Sequence, residues 1–419
     1  MMMTFTNPLH LLRFFGAASC FTLFFQPPHY ACSMNATHAP TSLAHPTPAA
    51  RLGSIEAARG LAALAVALMH VASLMNVPNF SGHVGLGGVF AFGYVGVDFF
   101  FVLSGFIITY VHHHELGKAT ALPRYLWRRF SRIFPIYWFV LLLAVAATAA
   151  ARFVAGQPAG IDIGIADLPG TVFLLMPFHG PAVEPKYIGV AWTLQFEVLF
   201  YLAFCVVLLH RRWGFGLLAV WATYLLAHIA GVVNSELPLH LGSAHCLQFL
   251  LGVGVALVAR SGALNGTVVA SRPALVVAVL AFVGAVVFEM VGPQGLHSGY
   301  GRLALGLASA MVLAVLVALE QSTGSVLPNT GKAPQTLQPL RCPAWLVKFG
   351  SASYSVYLAH ILLASIAYTL LLRVGLYHSL PEVVAYGFAL AVALGGAMAI
   401  GYLVELPAVA WLKERTRRG

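Results

Sequence analysis

Arg59 and His70 stand in an apolar stretch, residues 54–75, that is otherwise built mostly of Leu, Ala, Val and Met. A charge or an imidazole inside hydrocarbon is costly and marks a functional site by default. Imidazole titrates near neutral pH, so it can act as a general base or relay a proton. Eleven residues make almost three helical turns, which places both side chains on one face about 16.5 Å apart along the axis. Snorkelling of Arg59 and a helix–helix hydrogen bond from His70 are the structural alternatives.

The next apolar stretch, GYVGVDFFFVLSGFIITY, carries Asp98 near mid-depth, followed by Ser104 and Gly105. A buried carboxylate needs a partner. We expect that partner to lie on the preceding helix. From the second helix, Asp98 would then orient the imidazole of His70. A packing ion pair is the alternative. Gly105 would allow close helix approach or backbone contact with a ligand.

The segment RYLWRRFSRIFPIYW places Arg129 and Arg132 three residues apart on one helix face. This pattern favours a site for a phosphorylated ligand, because guanidinium binds phosphate through two hydrogen bonds. An anionic-lipid anchor is the alternative. Later stretches carry four more polar residues: Glu197 in WTLQFEVLFYL, Tyr357 and His360 in GSASYSVYLAHILL, and Glu405 in GYLVELPAVAW.

Two of these later residues have simple structural alternatives. His360 could hydrogen-bond within a helix bundle, and Glu405 could reach headgroup water. The five cysteines form no CxxC pair, so we expect neither a metal site nor a disulfide framework. We also expect no permanently bound cofactor.

The elements that must position these residues are membrane helices. The chain has 419 residues, of which 59% are hydrophobic and 9% charged, and its mean hydropathy is +0.84. This composition excludes a soluble globule and predicts an all-α, polytopic helical bundle. The net charge of +10 lies in short loops, which argues against a nucleic-acid partner. Ten spans are predicted: 55–76, 89–110, 133–151, 190–210, 213–231, 243–259, 273–291, 303–319, 350–372 and 383–404.

The loop charges predict the orientation of these spans. With the first span starting in the cytoplasm, cytoplasmic segments hold 17 of the 23 Lys and Arg residues and outer segments hold four. The positive-inside rule therefore places both ends of the membrane domain in the cytoplasm. We divide the chain into a disordered leader or mis-annotated start at 1–50, a membrane domain at 51–408 and a basic cytoplasmic tail at 409–419.

Six stretches in order resemble the acyltransferase 3 family of bacterial membrane proteins: Arg59-x10-His70, GYVGVDFFFVLSGFII, RRFSRIFPIYW, WTLQFEVLFY, SYSVYLAH and GYLVELP. The resemblance implies a multi-pass inner-membrane enzyme that moves an acyl group, commonly acetyl, from cytoplasmic acyl-CoA to a sugar hydroxyl of a glycan or glycolipid. By motif, Arg59 and His70 match the family's essential pair, Ser104 and Gly105 its SGF motif, and Arg129 and Arg132 its RxxR motif.

Some members of the family append an extracytoplasmic hydrolase-like domain, which we do not find after the last span. The resemblance therefore implies either that the spans suffice or that a separate extracytoplasmic transferase completes the reaction. On this reading His70 is the base and Asp98 its orienter, and an acyl-histidine intermediate is the alternative. Arg129 and Arg132 would hold CoA phosphates, and Arg59 would help there or guide the pantetheine arm. A proton-coupled transporter could use the same buried residues and is the alternative function.

Overall fold

The computed structural model describes residues 53–77, 80, 85–158, 163–177, 185–234, 237–264, 268–292, 298–324 and 342–418. The leader predicted at 1–50 lies outside them. The described residues form helices and no strand, as the sequence predicted. The long helices are α1 Gly53–Met75, α2 Val95–Val111, α3 Leu122–Val154, α4 Trp192–Leu209, α5 Arg211–Ile229, α6 Ala244–Arg260, α7 Arg272–Val291, α8 Gly299–Gly324, α9 Ser353–Arg373, α10 Glu382–Ile400 and α11 Leu406–Arg418. Short helices at Leu86–Val89, Leu168–Thr171 and Ala344–Ser351 connect them.

Local sequence explains where several of these helices begin. Ser243 and Ser271 cap α6 and α7, since each side chain accepts a hydrogen bond from a backbone N–H of the first turn. A proline in the first turn of α3 costs no hydrogen bond there. The helix α3 is 33 residues long and starts well before the span predicted at 133–151. It therefore extends beyond the hydrocarbon at the end that carries Arg129.

Nine helical segments within the described ranges are long and apolar enough to cross a membrane. The remaining predicted span, the fifth at 213–231, corresponds to α5, which begins with two arginines and contains His228, so its mean hydropathy is low. Ring contacts between the helices on either side of α5 nevertheless show that it crosses the bundle. Phe196 of α4 faces His245 of α6, and Phe200 faces Phe249 one turn further along both helices. Because α4 and α6 thus run parallel, α5 must bring the chain back across the bundle between them.

The helices α2 and α6 pack in direct backbone contact. A Cβ atom on Gly252 would lie 1.8 Å from the carbonyl oxygen of Val102, and one on Gly105 would lie 2.0 Å from that of Phe249. Any larger residue would force the two helices apart. Gly105 therefore serves helix packing, the first of its two predicted roles, and it does not line the cavity described below.

The last long helix continues past the membrane. After α10 the backbone forms one π-helical turn, Gly401–Glu405, and then continues as α11. The segment predicted as a tail, 409–419, thus begins inside α11. In the part of the chain described, α10 packs on α9, whereas α11 packs on α3. The π turn joins these two packing surfaces.

Candidate active site

A single cavity brings together six of the predicted site residues. It encloses about 830 Å³, including its open mouth, between α1, α2, α3, α4 and α9. Its walls are mostly apolar, and its polar lining contains three guanidinium groups. The predicted residues that line it are Arg59, Ser104, Arg129, Arg132, Glu197 and Tyr357.

The three arginines of the cavity have different partners. Arg59 pairs with Glu56, one turn earlier on α1, at 3.2 Å. The Nη2 atom of Arg129 donates to Nε2 of His112 at 2.6 Å, while its buried Nε has no hydrogen-bond partner among the described residues. Arg132 lies within electrostatic range of Glu197. The cavity thus combines three cations with one lining carboxylate, which makes it a site for an anion.

His112 and Glu115 form a second layer behind Arg129, and the sequence prediction missed both. His112 is fully buried, and its Nδ1 atom donates to Glu115 at 2.5 Å. Glu115 also pairs with Arg124. Burial and the nearby charge of Arg129 lower the pKa of His112 to about 4, so the imidazole is neutral at physiological pH. Burial opposes the ionisation of Glu115, but the hydrogen bonds from His112 and Arg124 keep its pKa lowered.

His70 meets His360 outside the lining of this cavity, and the ring of His360 lies 6.2 Å from that of Tyr357, which does line it. Arg59 and His70 lie in one uninterrupted helix, α1, as predicted. Nε2 of His360 lies 3.2 Å from Nδ1 of His70. Each ring also places its Nδ1 next to the carbonyl oxygen four residues earlier, at 2.9 Å for His360 and 3.1 Å for His70.

These contacts fix the tautomers of both imidazoles. A carbonyl oxygen can only accept, so Nδ1 must carry the hydrogen in both rings. Nε2 of His360 then accepts from Nδ1 of His70. This leaves the lone pair of His70 on Nε2, for which the described residues provide no hydrogen-bond partner. His70 is the half-buried member of the pair, and His360 is fully buried. This arrangement leaves His70 as the more accessible ring of the pair, with His360 as its fixed hydrogen-bond partner.

Asp98 does not orient His70, contrary to the sequence prediction. Both of its carboxylate oxygens accept from Nη1 of Arg302 on α8, at 2.6 and 2.8 Å. Gln248 of α6 donates to Asp98 at 2.6 Å and to the carbonyl of Arg302 at 2.9 Å. The buried carboxylate is therefore neutralised on the face of α2 that meets α6 and α8. Arg302, counted among the outer loop residues, belongs to the first turn of α8.

The remaining predicted residues hold helices around the cavity. Tyr357 shares a hydrogen bond of 2.9 Å with Thr193 of α4, and Tyr201 donates to Glu197 at 2.5 Å. Glu405 is buried and accepts from the backbone N–H and the hydroxyl of Ser355 in the first turn of α9, at 3.2 and 2.6 Å. It therefore does not reach headgroup water. Within the described ranges no group of three His, Cys, Asp or Glu side chains could hold a metal ion.

Comparison with known proteins agrees with this architecture. The exopolysaccharide production protein ExoZ of Rhizobium meliloti is 27% identical over 298 residues, 69% of this chain and 82% of ExoZ. The acyltransferase MdmB of Streptomyces mycarofaciens is 24% identical over 337 residues, 74% of this chain and 79% of MdmB. The peptidoglycan O-acetyltransferase OatA of Listeria monocytogenes is 34% identical over 94 residues, 22% of this chain and 13% of OatA.

No solved structure matches the chain significantly. The model of the acyltransferase domain of the acyltransferase 3 family matches residues 52–402, which include every predicted site residue except Glu405. Such a match over most of the chain shows the family. The chain is a member of the acyltransferase 3 family and a multi-pass membrane acyltransferase.

Proposed function

We propose that this protein transfers an acyl group, acetyl in the simplest case, from cytoplasmic acyl-CoA to a sugar hydroxyl of a cell-surface or secreted glycan. The bacterial inner membrane would be its location, since acyl-CoA is cytoplasmic and the acceptor is outside. One observation carries the proposal: Tyr357, which lines the arginine-rich cavity, packs against His360, and His360 is the hydrogen-bond partner of a histidine whose lone pair lies on Nε2. The family match and the O-acetyltransferase activity for which OatA is named support the reaction class.

The cavity suits an acyl-CoA donor. Its three guanidinium groups match the phosphates of CoA, and its apolar wall suits the pantetheine arm and the acyl chain. Arg59 and His70 are about 16.5 Å apart along α1, so phosphates bound near Arg59 would leave the thioester to reach toward His70. A transporter that relays protons would use the same buried residues but would not need a phosphate site.

The proposed chemical step begins at Nε2 of His70. That atom takes the proton of the sugar hydroxyl while the hydroxyl oxygen attacks the thioester carbonyl. The C–S bond then breaks, the CoA thiolate leaves, and the imidazolium returns the proton to the sulfur. His360 stabilises the imidazolium through the hydrogen bond that it accepts from Nδ1 of His70. In the alternative, Nε2 itself attacks the thioester and carries the acyl group to the acceptor.

The test combines an activity assay with a binding assay on purified protein in lipid. We expect acetyl-CoA to raise the melting temperature of the wild type, and His70→Ala to keep that shift while losing acyl transfer by ~10²–10⁴-fold. Transfer is followed by the ester mass on glycans from parent and deletion strains. His228→Ala is the matched control, because His228 also bonds a backbone carbonyl but lies on α5.

Two results would contradict the proposal. Absence of any thermal shift with acetyl-CoA would exclude the donor, and near-wild-type transfer by His70→Ala would exclude the base. An acylated His70 found by mass spectrometry would favour the covalent route over direct transfer.

A further inference from the structure

His112 is buried between a cation of the cavity and a carboxylate behind it. His112 follows the last residue of α2 and caps it. The short helix His113–Glu115 comes next and ends with Glu115. Its two ring nitrogens face Arg129 at 2.6 Å and Glu115 at 2.5 Å. The edge of the ring meets Tyr125, with 5.0 Å between ring centroids. Each polar atom of the imidazole therefore has one fixed partner.

The direction of these hydrogen bonds follows from the groups themselves. A guanidinium can only donate, so Nε2 of His112 must be the acceptor. A carboxylate accepts, so Nδ1 of His112 must donate to Glu115. The imidazole is consequently neutral and held in one tautomer. Protonation of Nε2 would remove the acceptor that Arg129 uses.

A neutral acceptor has a particular effect on Arg129. A carboxylate in direct contact would hold the guanidinium but also neutralise it. His112 holds the Nη2 end while keeping Glu115 one ring away from Arg129. The rings of Tyr125 and Tyr201 lie 5.6 and 5.5 Å from the guanidinium carbon. The described residues provide no hydrogen-bond partner for the buried Nε of Arg129.

We propose that His112 is a positioning residue that holds Arg129 in place for a phosphoryl group of the donor without putting a counterion in direct contact with it. This inference rests on the proposed function, because it assigns Arg129 to the phosphate end of acyl-CoA. His112 itself does not touch the donor and acts through Arg129. A neutral residue with an acceptor at the same position should therefore replace it, and an apolar residue of similar size should not.

The experiment compares two donors, acetyl-CoA and S-acetyl-pantetheine, on the purified full-length protein in lipid. S-acetyl-pantetheine carries the thioester but no phosphate. We expect His112→Phe to raise KM for acetyl-CoA roughly tenfold, the scale on which loss of an orienting partner acts. Its kcat/KM for S-acetyl-pantetheine should stay unchanged. His112→Gln should restore KM for acetyl-CoA, and His114→Phe, at an exposed neighbour, is the control.

A double mutant cycle connects the effect to Arg129. If His112 acts through Arg129, His112→Phe should add nothing to Arg129→Ala. Additive effects, a normal KM in His112→Phe, or an equal loss with both donors would overturn the inference. If Arg129→Ala left the KM for acetyl-CoA unchanged, the assignment of Arg129 to the donor site would be wrong. The inference about His112 would then lose its basis. Loss of all activity toward both donors in the wild type would instead contradict the proposed function.

Discussion

At the scale of single residues, the arginines of the cavity differ in how many of their donors are already used. Arg129 gives one nitrogen to His112, and it needs others for a ligand. Arg132 makes no hydrogen bond within the described part of the chain, although Glu197 and Glu405 lie within electrostatic range. Where one side chain must donate hydrogen bonds to two partners at once, the planar guanidinium of arginine is required. Where the side chain only attracts the ligand by its charge, the ammonium of lysine can replace it.

This difference predicts unequal effects of lysine at the two positions. Arg129→Lys should weaken acetyl-CoA binding by roughly 10- to 100-fold, because an ammonium cannot hold His112 and a phosphate in the same plane and loses a charge-assisted hydrogen bond. Arg132→Lys should weaken it less. Binding is measured by titration calorimetry in fixed lipid, with Arg129→Ala and Arg132→Ala as references.

A lipid anchor would give a different pattern. Both lysine variants would then bind acetyl-CoA like the wild type, and the alanine variants would lose membrane insertion or stability instead. Equal affinity of Arg129→Ala and the wild type for acetyl-CoA would remove Arg129 from the donor site.

The sequence identified every charged residue that lines the cavity but few of their partners. Arg59, Arg129 and Arg132 stand out because charges are rare in apolar segments. Their partners depend on contacts between distant segments, and no local pattern encodes them. Asp98 illustrates this, since Arg302 lies 204 residues away and resembles an ordinary loop arginine. His112 was missed because it stands in the polar run HHHE, which reads as a surface loop.

At the scale of elements, the contact between α2 and α6 fixes one wall of the cavity. Ser104 lines the cavity, while its neighbour Gly105 meets the backbone of α6. The position of Ser104 therefore depends on how closely these helices approach. The sequence predicted close helix approach at Gly105 only as one of two possibilities. A glycine in a sequence does not show which helix, if any, packs against it.

Two glycines of α6 provide a matched test of this contact. Gly252→Ala should destabilise the protein by about 1–3 kcal/mol, since its Cβ would collide with the carbonyl of Val102. Gly254→Ala should be neutral or slightly stabilising, because nothing lies within 4 Å of its Cβ and alanine favours helices. Chemical or thermal unfolding in lipid measures both, and equal stability of the two variants would contradict the close packing.

At the scale of the whole molecule, ring contacts and hydrogen bonds between helices show which helices run in the same direction. Asp98 meets Arg302 near the starts of α2 and α8, and Tyr110 meets Gln321 near their ends, so these helices are parallel. These directions agree with a chain whose ten predicted spans alternate in direction across the membrane. Hydropathy predicted all ten, although α5 alone would fail a strict apolarity criterion. Only contacts between other helices show that it crosses.

In the predicted orientation, with both ends of the membrane domain in the cytoplasm, ten crossings would place the loop after α3 outside and the loop after α6 inside. In a chain whose native cysteines have been replaced, Ala166→Cys should react with an impermeant maleimide in intact cells. Ala263→Cys should react only after permeabilisation. Both sites are exposed. Labelling of Ala263→Cys from outside would mean that α5 does not cross or that the orientation is reversed, and labelling of Ala166→Cys would distinguish these cases.

The π turn at Gly401–Glu405 determines which changes of length the end of the chain tolerates. The turn holds one residue more than an α-helical turn, so a one-residue deletion inside it would restore α-helical spacing and leave later residues facing almost the same way. A one-residue deletion in α11, which has no extra residue to lose, would instead rotate every later residue by about 100°. The stacked pair Trp411 and Arg415 would then face a different direction, and α11 would lose its match with α3. One-residue deletions should therefore be far more harmful at the start of α11 than in the π turn.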